Sequence, residues 1–265
     1  MTPVLGQWAN APLALVLAQV RFETFMDLNA VAVPFRERIE KVYPRVHPMQ
    51  LVNLPLVGVV GAAPATPKGE IGGYVFSNAE NTKSVTLDVG ALTYAVTSYA
   101  KYEAHFENDL GELIAAVSSI KELFVKRIGL RYIDFIVPSD GASPEDYVLE
   151  PFGRAPVLDG AATVTAFNLF DFAMSEGRMR VQYGRGADQP ELPPDLRNLD
   201  LAHSPIMTRK ATGPTAILDT DRWVEPSLST PAADIMASFS KVHKDMSSAF
   251  QRIISPRARK EWGAQ

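Results

Sequence analysis

The segment Phe124–Pro138 is the strongest strand pattern in the sequence, and its alternation restricts what can lie on either side of it. Successive side chains of a strand point to opposite faces. One face therefore carries three aliphatic residues and a tyrosine, namely Ile128, Leu130, Tyr132 and Ile136. The opposite face begins with two arginines around a glycine and then becomes apolar, with Arg127, Gly129, Arg131, Ile133, Phe135 and Val137. A strand that is apolar on both faces over part of its length belongs in the interior of a covered sheet, so we predict a central strand.

Apolar patterns elsewhere predict the rest of an α+β fold built on antiparallel sheet. Residues 12–22 are almost continuously apolar, which predicts a second buried strand beside the first. The other strands are predicted as a meander at 74–76, 84–89 and 91–97, a hairpin at 163–174 and 178–185, and a late strand at 215–222.

Two long amphipathic helices are predicted to pack on this sheet. One has apolar residues at helical spacing over 99–117, with Ser98 as its N-cap, and the other has them over 235–253. A shorter helix is predicted to begin near Pro34, because proline suits a first helical turn and disrupts a helix interior.

The order of elements repeats in outline, with antiparallel strands followed by one long helix in each half. This order predicts a pseudo-repeated two-half plan over 1–138 and 139–265, and it leaves open whether the halves form two sheets or share one core. Residues 187–214 contain five prolines and no periodicity. Such a long loop is predicted to be either functional or a wrap over the surface.

Composition excludes several classes of function. The chain has no cysteine, which rules out disulfides, thiolate metal sites and cysteine nucleophiles. Its 26 basic and 30 acidic residues give a net charge of -4, which disfavours general nucleic-acid binding. The longest apolar run, 11–20, is half a membrane span, so we predict a cytoplasmic protein without membrane contact. No nucleophile-elbow, zinc-protease, phosphate-loop or dinucleotide signature occurs, so we predict no cofactor and favour a non-enzymatic protein.

Arg127, Gly129 and Arg131 form the first candidate ligand-binding site. Two guanidinium groups beside a missing side chain could hold a phosphate or carboxylate that approaches over the glycine. The structural alternative is that both arginines pair with carboxylates of the neighbouring helix, such as Glu103, Glu107 or Glu112.

Asp219, Asp221 and His243 are the remaining candidates. The two aspartates share a face of the late strand, a spacing that can bind a divalent cation or form a salt-bridged strand end. His243 shares a helix face with Phe239, Met246 and Phe250, which is typical of a buried, hydrogen-bonded histidine. It would instead join the binding site, and could transfer a proton, if one of the aspartates faced it.

The C-terminal end is basic through Arg257, Arg259 and Lys260. These residues are the one place where the sequence allows RNA or an acidic partner surface to bind. Nucleic acid is otherwise not an expected partner.

Three parts of the chain resemble a sporadically distributed family of uncharacterised bacterial proteins of roughly this length. The parts are residues 10–22, the motif Arg-Ile-Gly-Leu-Arg-Tyr-Ile at 127–133, and a late Asp219-Thr220-Asp221 strand followed by a helix with His243 and Phe250. Asp134 departs from the pattern, because similar sequences tend to have asparagine there. The resemblance implies a shared fold and assigns no activity, cofactor or site.

From these observations we expect a non-enzymatic cytoplasmic binding protein with a protein partner. The sporadic distribution of the similar family suggests an accessory system, such as defence or toxin neutralisation. The alternative is a small-anion or nucleotide-binding protein, or an enzyme, with a site between sheet and helix that uses Arg127 and Arg131, with or without His243 and one of Asp219 and Asp221.

Overall fold

The central strand of the fold is β6, which lies inside one nine-stranded antiparallel sheet. The fold is seen in a computed structural model that describes residues 8–50, 71–139, 141–156, 158–197, 199–226 and 231–263. The strands are β1 Leu13–Phe22, β2 Arg45–Gln50, β3 Ile71–Ser77, β4 Lys83–Asp88, β5 Ala91–Val96, β6 Val125–Ile136, β7 Ala166–Ala173, β8 Arg178–Gly186 and β9 Thr215–Val224. Their order in the sheet is β2-β3-β4-β5-β1-β6-β9-β8-β7. The α+β class and the antiparallel sheet are therefore confirmed.

Strands from both predicted halves belong to this one sheet. On one side β6 pairs with β1, with Gly129 opposite Gln19, and on the other side it pairs with β9, with Arg131 opposite Asp221. The main hydrophobic core is also shared, since it contains Val16 of β1 as well as Leu218 of β9. The two-half repeat itself stays a prediction.

Helices cover one face of the sheet, which we call the helix face. They are α1 Asn29–Ile39, a π-helix Glu103–Leu110 that runs directly into α2 Gly111–Ser118, α4 Ala232–Ile253, and α5 Pro256–Trp262. Burying their apolar stripes against Ile128, Leu130 and Tyr132 of β6 forms the main core. Within this layer α4 is also tied to β9, because the fully buried Arg222 donates to Asp245 at 2.9 Å.

Segment 187–214 covers part of the opposite face, which we call the loop face, and it contains α3 Pro205–Thr208. A second hydrophobic cluster forms between this segment and the apolar ends of three central strands, with Ala14, Leu15, Leu17, Ala95, Ile133, Phe135 and Leu196. The segment is thus a wrap over the sheet. It explains why β6 is apolar on both faces over half of its length.

Two predicted helix starts are wrong. Helix α1 begins at Asn29 and contains Pro34, because the Asp27 carboxylate accepts hydrogen bonds from the N–H groups of Asn29 and Ala30 and starts the helix earlier. The second helical region begins after Tyr102 and not after Ser98.

The hairpin between β7 and β8 depends on Gly177, which generates our first prediction. Gly177 and Gly160 both have positive φ, +68° and +73°, so alanine is strained at either position. A Cβ at Gly177 would also lie 2.0 Å from the Trp223 carbonyl oxygen, whereas nothing lies within 4 Å at Gly160. We expect Gly160→Ala to cost about 1 kcal/mol of unfolding free energy and Gly177→Ala about 3 kcal/mol. Urea denaturation measures both, and equal losses would contradict the contact with β9.

Candidate functional site

Arg127, Arg131, Asp219 and Asp221 come together on the loop face, and we call these four residues the ion-pair row. Arg127 Nη2 donates to Asp221 Oδ2 at 2.9 Å. Arg131 contacts Asp219 through two hydrogen bonds, Nε to Oδ1 at 2.9 Å and Nη2 to Oδ2 at 2.7 Å. The row arises because β6 and β9 are neighbours and both place every second residue on this face.

The wrapping segment reaches the row at Asp195. The Asp195 carboxylate accepts from Arg131 Nη1 at 2.5 Å, so Arg131 lies between two carboxylates. Burial alone would lower the pKa of Arg131, but the hydrogen bonds and charges of Asp219 and Asp195 raise it. Arg131 is therefore a fixed cation whose charge is already balanced.

The space over Gly129 is filled by Arg127. Its guanidinium lies over the Trp223 ring, with Cζ 4.9 Å from the ring centroid. A Cβ at Gly129 would meet Arg127 Nη1 at 3.3 Å. The glycine thus makes room for the guanidinium of its own strand.

These contacts favour the structural alternative for both arginines, although the helix carboxylates expected as partners, Glu103, Glu107 and Glu112, were the wrong ones. The partners are Asp221, Asp219 and Asp195 from β9 and the wrapping segment. A strand neighbour is closer to a strand side chain than a helix on the opposite face can be. Within the described ranges, no group of three or more acidic or histidine side chains is arranged to hold a metal ion.

His243 lies on the helix face, away from the ion-pair row. Its Nδ1 is 2.8 Å from the hydroxyl of Tyr132, and its ring stacks on Tyr102 with centroids 4.1 Å apart. Burial lowers the pKa of His243 to about 4, so the imidazole is neutral at pH 7. Asp219 and Asp221 project to the other face, so they do not orient this imidazole.

His243 lines a groove of about 700 Å³ between the π-helix and α4. Glu103 and Glu107 lie on one wall, and Lys244 and Arg252 on the other. The site between sheet and helix that the sequence suggested corresponds to this groove. The two arginines of β6 do not line it. Anion or nucleotide binding there stays a prediction.

Asp134 is a buried carboxyl on the helix face that the candidate list from the sequence did not include. It is 1% exposed, and neither oxygen has a hydrogen-bond partner in the described part of the chain. Burial, with a smaller effect from the charge of Asp219, raises the pKa of Asp134 to about 8. The carboxyl is thus protonated at neutral pH.

The basic C-terminal residues lie on α5, where one of them is paired. Arg257 Nε donates to Glu261 Oε1 at 2.8 Å, and Arg259 donates to the Gln251 carbonyl. The arginine pairing reduces the positive charge available to a nucleic acid.

Strand β7 is an edge of the sheet, which sequence reasoning did not reveal. Phe167, Leu169 and Phe172 are 63%, 47% and 39% exposed, whereas most large apolar side chains on the inner strands are buried. Sequence alternation predicts a strand here but cannot predict which strand ends the sheet. The signal that could have been used is a strand of sequence AFNLFDFA with one charge and no proline.

A cavity of about 530 Å³ connects this edge to the ion-pair row on the loop face. It is lined by Phe167 of β7, Arg180 and Gln182 of β8, and Arg131, Asp195 and Asp219. Exposed apolar and paired charged groups therefore form one continuous surface.

Neither a protein-family model nor a curated protein sequence matches this chain. The site is therefore interpreted from its geometry. In the part of the chain that the structure describes, no helix is both long and apolar enough to span a membrane.

Removing Arg131 should destabilise the protein much more than removing Arg180. Arg131→Gln leaves the nearly buried Asp219 without its cation, and we expect a loss of about 3 kcal/mol in unfolding free energy. Arg180 pairs with Asp171, and both side chains are over one-third exposed, so Arg180→Gln should change stability little. Urea denaturation of both variants checks this, and similar losses would show that burial does not determine the strength of these pairs.

Asp134→Asn should remove a pH dependence. A carboxyl whose pKa rises on folding contributes its full stability below its unfolded pKa and loses it as pH rises through the folded value. Wild type should therefore lose stability relative to Asp134→Asn between about pH 4 and pH 8. By pH 8 the difference should be on the order of 5 kcal/mol. Denaturation at several pH values measures it, and a difference that is constant with pH would contradict a protonated Asp134.

Proposed function

We propose that this is a protein-binding protein that pairs the edge of β7 with an extended segment of another polypeptide. The observation that supports this proposal is the exposed apolar edge strand. An unpaired strand edge offers N–H and C=O groups to a further strand, and natural proteins usually protect such edges with charges or proline. The opposite edge strand, β2, has a proline, Pro48, and the cation Arg45, whereas β7 has no proline and its one charge, Asp171, is paired with Arg180 of β8.

The backbone pattern identifies which groups of β7 are available. The Met174 N–H donates to the Gly177 carbonyl at 3.2 Å, so this pair is hydrogen-bonded. Hydrogen-bonded pairs alternate along an antiparallel ladder. The N–H and C=O groups of the odd-numbered residues, among them Phe167, Leu169 and Asp171, therefore point away from β8.

The side chains of those same residues lie on the loop face. A strand added to β7 would contact Phe167 and Leu169 directly, and its side chains would reach the cavity beside Arg180 and Gln182. In strand addition the backbone supplies affinity and such pockets supply specificity. The ion-pair row then has a role in recognition, with its charges held in place by their mutual pairs.

Cytoplasmic location and membership of a bacterial defence or toxin-neutralising system remain predictions from the sequence. Protein binding at β7 does not depend on either.

Leu169→Pro should abolish partner binding while Leu169→Ala weakens it. Proline removes the N–H of residue 169, which points away from β8, and leaves the hydrogen bonds to β8 intact. Alanine removes the side chain and keeps the N–H. The measurement is photo-crosslinking in the native host, with the photoreactive amino acid at Phe167 and, as control, at the fully exposed Met26. We expect one crosslinked protein from Phe167, none from Met26, and loss of the product in Leu169→Pro.

Two results would remove the proposal. One is the same set of crosslinked proteins from both positions. The other is a product from Phe167 that persists unchanged in Leu169→Pro, provided that circular dichroism shows the variant to be folded.

A further inference from the structure

The exposed apolar side chains at the β7 edge are arranged symmetrically about Asn168. Four large apolar side chains between residues 163 and 174 are more than one-third exposed, namely Val164 at 62%, Phe167 at 63%, Leu169 at 47% and Phe172 at 39%. Phe167 and Leu169 lie one residue to either side of Asn168, and Val164 and Phe172 lie four residues to either side. A strand with this arrangement is complementary to a copy of itself that runs in the opposite direction.

The backbone of β7 permits such a pairing. Its odd-numbered residues point their N–H and C=O groups away from β8. Hydrogen-bonded partners in an antiparallel pair must both direct these groups at the other strand, so an odd-numbered residue pairs with an odd-numbered residue. Placing Phe167 opposite Leu169 of a second copy meets this requirement and puts Asn168 on a two-fold axis. The amide of Asn168 already donates to the carbonyls of Phe152 and Arg154 in its own chain, so the axis has no unpaired side-chain donor.

The same register matches apolar side chains on both faces of the strand. On the loop face Phe167 packs against Leu169 of the second copy, and the two-fold axis makes this contact twice. Where the pairing continues two residues before β7, Val164 lies opposite Phe172. The smallest shifts that keep the hydrogen bonds are of two residues. One of them puts Phe167 opposite Asp171, and the other puts Leu169 opposite Thr165, so both break the apolar matches.

Charge does not oppose the meeting of two copies at this edge. Each chain has a net charge of -4, so an unpaired acidic side chain here would repel the second copy. The one charged residue between 163 and 174 is Asp171, and it pairs with Arg180 of β8 at 2.8 Å. In the register above Asp171 faces Thr165, which is neutral, so no like charges lie opposite each other.

We propose that the polypeptide paired at β7 is a second copy of this chain, and that two nine-stranded sheets join across the two-fold axis into one continuous sheet. This inference rests on the proposed function and names its partner. A second copy presents the same unpaired backbone groups and the same four exposed apolar side chains, so each copy covers those of the other. The pairing protects both edges at once, because β7 is then an edge in neither copy.

Opposite charges at the two facing positions test both the dimer and its register. Phe167→Lys places a lysine opposite Leu169 at two symmetric places, and Leu169→Glu places a glutamate opposite Phe167. A mixture of the two variants can form a heterodimer with one lysine–glutamate pair and one wild-type Phe–Leu pair. The measurement is sedimentation equilibrium of the full chain, whose mass is 29.0 kDa.

Wild type at about 100 μM should have twice the chain mass, with a Kd of about 10 μM or below. Each variant alone should dimerise about thirtyfold more weakly, because it loses two cross-strand apolar contacts. The mixture should dimerise within about threefold of wild type, because its two charged residues face each other. Met26→Lys changes a fully exposed apolar residue outside the sheet and should leave the mass unchanged.

Both variants should keep the fold, because Phe167 and Leu169 are exposed, and circular dichroism checks this. The inference is overturned if wild type is a monomer at this concentration, if the mixture dimerises no better than either variant alone, or if Met26→Lys weakens the dimer as much as Phe167→Lys does. Its failure is distinguishable from failure of the proposed function. A monomeric wild type whose Phe167 crosslinks to a different protein overturns the identity of the partner and leaves strand addition at β7 standing.

Discussion

The pairing of β6 with β1 and β9 is the interaction on which the other layers depend. These strands lie inside the sheet and must be covered on both faces, because their apolar residues continue on both sides over part of their length. The helices bury one face, and a proline-rich segment with little regular structure buries part of the other.

The end of that wrap determines the character of the ion-pair row. Beyond Asp195 the loop face is open, and there the strands carry charged residues in place of apolar ones. Arginine on β6 and aspartate on β9 lie opposite each other, so each charge has a partner at strand spacing. The helix face is buried against the core, so charged side chains there are not open to solvent. A charge there is either fully paired, as Arg222 is with Asp245, or removed by a change in protonation, as in Asp134 and His243.

One edge of the sheet, β7, has no strand beside it in the part of the chain that the structure describes. At β7 the unsatisfied groups are backbone N–H and C=O groups of an edge strand, which another strand can pair. This edge is the feature on which our proposal of a polypeptide partner rests.

Local pattern was sufficient to predict the central strand and its two faces, the meander, the hairpin and the apolar stripe of α4, because alternation and helical spacing are properties of the chain itself. The start of α1 was mispredicted at Pro34 because a single carboxylate, Asp27, outweighed the propensity of proline. The sequence also placed Arg127, Arg131, Asp219 and Asp221 each on one face of its strand. Strand order arises from long-range pairing. It made β9 the neighbour of β6, so that the two arginines and the two aspartates became partners, and it left β7 at the edge. The packing of α4 on the opposite face of the sheet placed His243 beside Tyr132, away from the aspartates.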